Sequence, residues 1–435
     1  MIFDLQKYKD NTAVITDGGQ RLTYSELDAM VETEAAKYKK NVLEFCLVEN
    51  SVESLVKYLA CLRAGAPAVM LDKHQAADMI DHLAEIYQPG KTLCHPDVAL
   101  LLTTSGSTGS PKLVKLTAKN LLSNAESIAE YLHIDENERP ITSLPMYYSF
   151  GLSVINSHLL KGATLLLTDR AVIQKEFWEF AKCAEATSIS GVPYTYEMLR
   201  RLRIFRMDLP KLKTMTQAGG KLNAKIAQEY IENAKATGKR FVVMYGQTEA
   251  TARMSYLPEN KAAEKYASIG IAIPGGKFSL IDTDGKEITE PDVDGELIYE
   301  GANVSMGYAE CIADLAKGDE NDGVLHTGDV ARRDADGFYY ITGRLKRFVK
   351  VWGNRCNLDA TEQLVKSITT NCACAGVDDK ITIFVTEEGL DTEIKTLLSE
   401  KMGLNTRAFA VKVVDEIPKN PSGKVQYAEL QKMLD

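Results

Sequence analysis

No stretch of the 435-residue chain approaches the ~20 consecutive apolar residues that cross a bilayer, so no membrane-spanning helix is expected. The amino terminus, Met1-Ile2-Phe3-Asp4-Leu5, lacks a basic segment followed by an apolar one, so a secretory signal is not expected either. A basic surplus is also missing. Against 51 Lys and Arg stand 60 Asp and Glu, a net charge of -9, which speaks against an extended nucleic-acid surface. A local basic patch remains at Lys346-Arg347 and Lys350. The eight cysteines are scattered, and the close pair Cys372-x-Cys374 has no His or Cys group near it. That pattern favours reduced structural thiols over metal or redox work and suggests the cytoplasm. Internal repeats and low-complexity tracts are absent.

What is there is the composition of an ordinary globular protein, 45% hydrophobic and 26% charged. At roughly 150 residues per domain the chain makes two or three domains. Helical and strand patterns alternate through the first two thirds. Thr23-Tyr24-Ser25-Glu26-Leu27 opens a helix with a capping-box pattern. Ser51 to Arg63 is an amphipathic helix stopped by Ala64-Gly65-Ala66-Pro67. Val69 to Leu71, Ala99 to Leu102, Ala163 to Leu167 and Phe241 to Met244 read as buried strands. Thr117 caps a helix running to about Leu132, and further helices lie at Glu176 to Ala186 and Ala224 to Ala236. This alternation predicts layered α/β subdomains with largely parallel sheets.

The rhythm changes near Ile269. Asp284-Gly285, Asp294-Gly295, Asp322-Gly323 and Asp336-Gly337 punctuate short alternating runs, which predicts hairpins and a β-rich, barrel-like subdomain over about 268–343. Strands near Ile381 to Val385 and Ala408 to Val414 then mark a return to mixed α and β structure. The expected fold is therefore α/β, with a large N-terminal domain over 1–345 and a small C-terminal α+β domain over 346–435.

Four segments carry candidate chemistry. The first, Thr104-Ser105-Gly106-Ser107-Thr108-Gly109-Ser110-Pro111-Lys112, directly follows a buried strand. Its glycines, hydroxyls and lysine offer backbone N–H donors and a cation to a polyphosphate. Two residues separate Gly106 from Gly109, so the spacing is not that of a P-loop. Taken alone, such a run is also the composition of a linker. The second is Tyr245-Gly246-Gln247-Thr248-Glu249, at the carboxyl end of a strand. A hydroxyl and a carboxylate there suit a phosphate oxygen and Mg²⁺; Thr248 as a simple helix cap is the competing reading. The third is His326-Thr327-Gly328-Asp329 with Gly343-Arg344 further along, where Asp329 could accept ribose hydroxyls or both pairs could serve as turns. The fourth is Pro418-Lys419-Asn420-Pro421-Ser422-Gly423-Lys424-Val425, a lysine in a punctuated loop.

In this order the four segments resemble the adenylate-forming superfamily: acyl-CoA synthetases, luciferase-like enzymes and the adenylation domains of peptide synthetases. Gln217-Ala218-Gly219-Gly220, Gly295-Glu296-Leu297 and Leu144-Pro145 through Gly151 extend the resemblance over nearly the whole chain. The resemblance implies ATP-dependent activation of a carboxylic acid to an acyl-adenylate, followed by transfer of the acyl group to a thiol. It implies ATP and Mg²⁺, and CoA or a carrier-protein phosphopantetheine as co-substrate. Thr104, Ser105, Gly106, Ser107, Thr108, Gly109 and Lys112 would hold the outer phosphates. Thr248 would contact the α-phosphate and Glu249 would bind Mg²⁺. Tyr245 would stack on adenine beside Gly219, Gly220, Gly246 and Gln247. Asp329 would bind the ribose, with Arg344 assisting, and Lys424 would bridge the attacking carboxylate and the α-phosphate. The small C-terminal domain would be mobile, turning about Lys346, with Gly353 leaving space for a pantetheine arm.

The sequence departs from the family pattern where Tyr148 stands in place of a common His, where Lys112 is followed by Leu113 instead of Gly, and at Asn354-Arg355-Cys356-Asn357. The segment from Tyr147 to Ser153 has no acidic residue to pair an α-ammonium, so a plain carboxylic acid is expected over an amino acid. Tyr148, Gly191, Val192 and Gln217 are the candidate pocket residues, although Ser190 to Pro193 reads equally well as a strand-end turn. Transfer to an amine or hydroxyl, or silent adenylate binding, are the alternatives to an acid–thiol ligase.

Overall fold

The structure, a computed structural model, describes residues 2–103, 112–419 and 425–434. It divides into two compact units. The first holds residues 2–103, 112–278 and 299–325, and the second holds 279–298, 326–419 and 425–434.

Two sheets organise the first unit. The larger has nine strands, in the spatial order Ile271–Ala272, Ser255–Tyr256, Arg240–Tyr245, Thr214–Gln217, Ser188–Gly191, Pro140–Ile141, Leu165–Leu167, Thr12–Thr16 and Arg21–Thr23. From Arg240–Tyr245 to Thr12–Thr16 every pairing is parallel, and antiparallel strands close both ends. Ser188–Gly191, Thr214–Gln217 and Leu165–Leu167 are buried at every position, as parallel strands covered on both faces require. The smaller sheet runs Tyr308–Ala309, Leu113–Thr117, Val98–Thr103, Ala68–Asp72, Glu44–Val48.

Local chemistry sets the helices that pack on these sheets. Thr23 accepts from the Glu26 N–H while the Glu26 carboxylate accepts from the Thr23 N–H, the expected capping box. Ser51 caps Val52–Ala64, and Gly65, at φ 67°, ends it in the left-handed conformation that glycine adopts freely. Thr117 and Asn120 cap Ala118–Tyr131 reciprocally. Tyr24, Leu27, Leu55, Tyr58 and Leu59 are fully buried in one core. Each buried aliphatic side chain contributes about 1.5–3 kcal/mol.

Residues that follow Ile269, divided between the two units, form the hairpin-rich region expected there. A four-stranded sheet is ordered Gly276–Ile281, Gly295–Gly301, Val324–Arg333, Tyr339–Arg344, its first three strands beginning or ending within the chain of the first unit. Gly285 and Gly337 take positive φ at their turns, and Asp322 and Gly323 do so together. Asp294-Gly295 does not turn. Pro291-Asp292 turns instead, with Asp292 at φ 60°. Gly295 opens a strand, where a Cβ would sit 2.7 Å from the Ile281 carbonyl oxygen. That glycine serves a close approach, not a bend. Residues 346–434 contribute the hairpin Phe348–Val351 with Asn354–Asn357, and a three-stranded sheet, Cys372–Val377, Lys380–Val385 and Phe409–Val413. Leu358–Val365, Asp391–Met402 and Tyr427–Lys432 are its helices.

Candidate active site

Three adjacent parallel strands of the large sheet end side by side. Gly191 lies opposite Gln217, and Gln217 opposite Val243, two residues before Tyr245. The candidate segments at 190–193, 217–220 and 245–249 therefore leave the sheet together at its carboxyl edge, where open α/β sheets bind ligands.

Glycines make that edge compact. A Cβ on Gly191 would stand 2.8 Å from Thr195 Cβ, and one on Gly246 would stand 1.8 Å from the Ala252 carbonyl oxygen. At Gly219, with φ 80°, a Cβ would meet the Tyr148 hydroxyl at 2.5 Å and Val192 Cγ1 at 3.1 Å. Tyr148, Val192 and Gly219 thus converge, and Gly220 faces the Pro193 ring. Burial pushes the Tyr148 phenol up to about 12, so it remains a neutral donor. Gln217 is 1% exposed, and its amide donates to the carbonyls of Ala218 and Gly220, at 3.2 and 2.9 Å. It shapes the 217–220 loop.

Beyond the strand, Gln247 Nε2 donates to the Tyr245 hydroxyl at 3.2 Å. Thr248 opens a short 3₁₀ turn, Thr248–Ala250, that has no side-chain cap. The helix-cap reading of Thr248 therefore fails. Its hydroxyl shares a 3.1 Å hydrogen bond with Ser149, in the first turn of Ser149–Leu160. That turn has no acidic residue. The Glu249 carboxylate accepts from the Tyr308 hydroxyl at 2.7 Å. The Lys112 ammonium lies 5.5 Å from the centre of the Tyr308 ring and pairs with Glu310 at 2.5 Å.

Sequence reasoning did not single out Ser149, Tyr308 or Glu310. Tyr308 and Ala309 reach the site by pairing with Val114 and Leu113, across nearly two hundred residues of chain, and no local pattern reports such a pairing. It also missed Arg253, which is 2% exposed and reaches Ser153 Oγ at 3.2 Å and the Tyr131 hydroxyl at 3.3 Å, with the Phe150 ring 4.9 Å away.

In the second unit Asp329 and Arg344 lie directly opposite on paired antiparallel strands. Arg344 Nε donates to Asp329 Oδ1 at 2.9 Å; the carboxylate is buried, while the guanidinium side chain is mostly exposed. The pair read from sequence as ligands or turns is thus a cross-strand ion pair. A Cβ on Gly343 would stand 2.1 Å from Asn357 Nδ2, whose amide donates to the Thr342 carbonyl at 2.8 Å. Lys346 is exposed in the short turn Leu345–Arg347. Gly353, at φ 89°, follows Trp352, at φ 48°, in the exposed two-residue turn of a hairpin. Thr104, Ser105, Gly106, Ser107, Thr108, Gly109 and Lys424 lie outside the described residues. Lys419 and Val425, which flank the Lys424 segment, pair in an antiparallel bridge.

The arrangement joins an α/β sheet edge crowded by glycine to a lysine, a hydroxyl and a carboxylate. That is a site for a charged ligand with phosphate groups. The AMP-binding enzyme family matches residues 85–309, more than half of the chain. A feruloyl-CoA synthase of Amycolatopsis is 27% identical over 97% of this chain and 96% of its own. An oxalate–CoA ligase of Arabidopsis thaliana is 26% identical over 97% and 95%. The structure of an O-succinylbenzoate coenzyme A synthetase from Bacillus subtilis, in complex with ATP and magnesium ion, superposes with a TM-score of 0.84 at 22% identity, covering 98% of both chains. The chain belongs to the AMP-binding enzyme family. Among the described residues, no helix is long and apolar enough to cross a membrane.

Proposed function

We infer that this protein is an AMP-forming acid–thiol ligase. A carboxylate oxygen of the substrate attacks the α-phosphorus of ATP, the bond from that phosphorus to the bridging oxygen breaks, and pyrophosphate leaves with the electron pair. The thiol of CoA, or of a carrier-protein phosphopantetheine, then loses its proton and attacks the acyl carbon, the bond from that carbon to the phosphate oxygen breaks, and AMP leaves with the electron pair. The observation that carries this reading is the shared carboxyl edge of three parallel strands, where Gln217 to Gly220 and Tyr245 to Glu249 emerge together.

Two anions must meet in the first step, so positioned cations and donors are the main resource. We assign Lys112, with Thr104 to Gly109, to the outer phosphates and Thr248 to the α-phosphate. The Ser149 hydrogen bond holds the Thr248 hydroxyl in one place. Tyr245 and Gln247 take the adenine, with Gly219, Gly220 and Gly246 allowing the base close to the backbone. Asp329 takes the ribose hydroxyls, and Arg344 orients it through their ion pair. Lys424 bridges the two reacting anions. The donor set beside the phosphates, one carboxylate and one hydroxyl, fits Mg²⁺, which takes one or two carboxylates and completes its shell with phosphate oxygens and water. Bound there by Glu249, Mg²⁺ supplies charge neutralisation to the phosphates.

Tyr148, Gly191, Val192 and Gln217 border the acid. A plain carboxylic acid is favoured because the first turn of Ser149–Leu160 offers no counter-charge for an ammonium. For the second half-reaction we assign Lys346 as the pivot of a mobile domain over 346–435 and Gly353 as the passage for the pantetheine arm. The eight cysteines are all free, which supports a cytoplasmic setting.

The test is incubation with ATP, Mg²⁺ and a library of acids, followed by CoA, holo-carrier protein or amines. Acid-dependent pyrophosphate release with thioester formation is expected. Release with amide or ester as the product would move the acceptor, and no release with any acid would point to silent adenylate binding.

A further inference from the structure

Lys112 and Glu249 are both held by one short segment at the edge of the smaller sheet. We propose that Tyr308 and Glu310 are positioning residues for the phosphate end of the site, with Glu310 standing in for phosphate on Lys112 until pyrophosphate, or the outer part of ATP, displaces it. The inference rests on the reading of Lys112 and Glu249 given above.

The geometry favours such a role over a chance surface pairing. Tyr308 and Ala309 pair with Val114 and Leu113, so the segment runs directly beside the start of the strand that follows Lys112. Ala309 is fully buried, and successive strand residues point to opposite faces, so Tyr308 and Glu310 rise together on the other side. The segment itself is anchored. The buried Lys115 ammonium donates to the carbonyls of Asp314 and Lys317, at 3.1 and 3.3 Å, and pairs with Glu320 at 3.3 Å. Lys115 also exchanges backbone hydrogen bonds with Met306 and Gly307.

On this base Tyr308 does two things. Its hydroxyl donates to Glu249, and its ring stands 5.5 Å from the Lys112 ammonium, within cation–π range. Burial and the Glu249 charge push the phenol pKa well up, so the donor is retained. Glu310 contributes a charge that opposes the ligand. Its side chain is 52% exposed and that of Lys112 is 32% exposed, so the ion pair is water-screened and opens at small cost. A phosphate oxygen entering against Lys112 must replace that carboxylate. The carboxylate meanwhile keeps the ammonium at the site.

The experiment measures equilibrium binding of Mg²⁺-pyrophosphate, and separately of AMP, to the full chain and to the variants Glu310→Gln, Lys112→Ala, the double variant and Tyr308→Phe. Glu310→Gln is expected to tighten pyrophosphate binding about two- to fivefold, the size of a screened ion pair, and to leave AMP binding unchanged. The gain should vanish in the Lys112→Ala background. Tyr308→Phe should raise the Mg²⁺ concentration needed for half-maximal pyrophosphate binding, again with AMP binding unchanged as the check on folding. If Lys112→Ala weakens pyrophosphate binding but Glu310→Gln does not strengthen it, the stand-in role is wrong and the reading of Lys112 survives. An equal gain in both backgrounds would reduce Glu310 to general charge repulsion and overturn the pairing. If Lys112→Ala leaves pyrophosphate binding unchanged, the reading of Lys112 itself fails.

Discussion

The edge of the large sheet and the second unit hold their candidate residues in place by different physics. In the first, the sheet edge is fixed by backbone crowding and neutral hydrogen bonds: Gly246 against the Ala252 carbonyl, Gly219 against Tyr148, Thr248 on Ser149, Gln217 on its own loop. In the second, charge does the holding. Asp329 pairs with Arg344 across two strands. Arg347, next to Lys346, lies with its guanidinium 3.5 Å from the centre of the Tyr427 ring and reaches Asp359, Glu362 and the Cys374 carbonyl. Tyr427 in turn donates to Glu362 at 3.1 Å, and Tyr427 comes three residues after Lys424. A site wall made by crowding tolerates almost no added atom. One made by ion pairs tolerates shape changes and fails when a charge is removed.

The comparison is broken most severely at Arg347. Arg347→Met keeps the bulk and takes the guanidinium from the buried Glu362, whose other partners are Lys366, Tyr427 and the Cys374 N–H. Removing one partner of a buried ion pair costs about 3–5 kcal/mol, and the remaining partners put this case near the lower end, measured by denaturant unfolding. The Glu362→Gln change in the same background should recover part of the loss.

Next in size is an acid effect in the first unit. His158 is buried, its Nδ1 lies 2.8 Å from the Val154 carbonyl oxygen, and burial depresses its pKa to about 4. The unfolded chain therefore takes up a proton near 6.5, which the folded chain refuses until about pH 4. Stability is fully present above pH 6.5 and falls between 6.5 and 4, by about 3 kcal/mol from this group. His158→Gln should flatten that part of the stability–pH curve. An unchanged slope would show that His158 is not the titrating group.

Gly246→Ala follows. Its Cβ has no room against a backbone carbonyl, and overpacking of this kind costs about 1–3 kcal/mol, with the 245–249 turn displaced. Nucleotide binding should fall further than stability does. Asp329→Ala is the smallest and sharpens the contrast: we expect roughly tenfold weaker ATP binding, or 1.4 kcal/mol, with folding retained. An unchanged dissociation constant would remove Asp329 from the ribose role.

Much of this was legible in the chain because it is written locally. Ser51 and Gly65 bound a helix by capping chemistry, and Thr23 with Glu26 does so again. Tyr245 to Glu249 stood out as a candidate because it follows a strand, and the structure does place it at the carboxyl end of Arg240–Tyr245. Where the reading went astray, one residue type served two purposes: Gly295 looked like a turn and is a point of close approach. For Thr248 it is the competing reading, a helix cap, that gives way to the bond with Ser149. Tyr308 and Glu310 were not legible at all, because strand pairing across a long sequence separation leaves no periodic trace.

The most direct measurement is acid-dependent exchange of labelled pyrophosphate into ATP, run on the unaltered chain and on Lys424→Ala. The account predicts exchange that requires both Mg²⁺ and a carboxylic acid. It also predicts a rate lower by about 10²–10³ in the variant, while ATP binding survives. Near-normal exchange in Lys424→Ala, or no exchange by the unaltered chain with any acid, would contradict it.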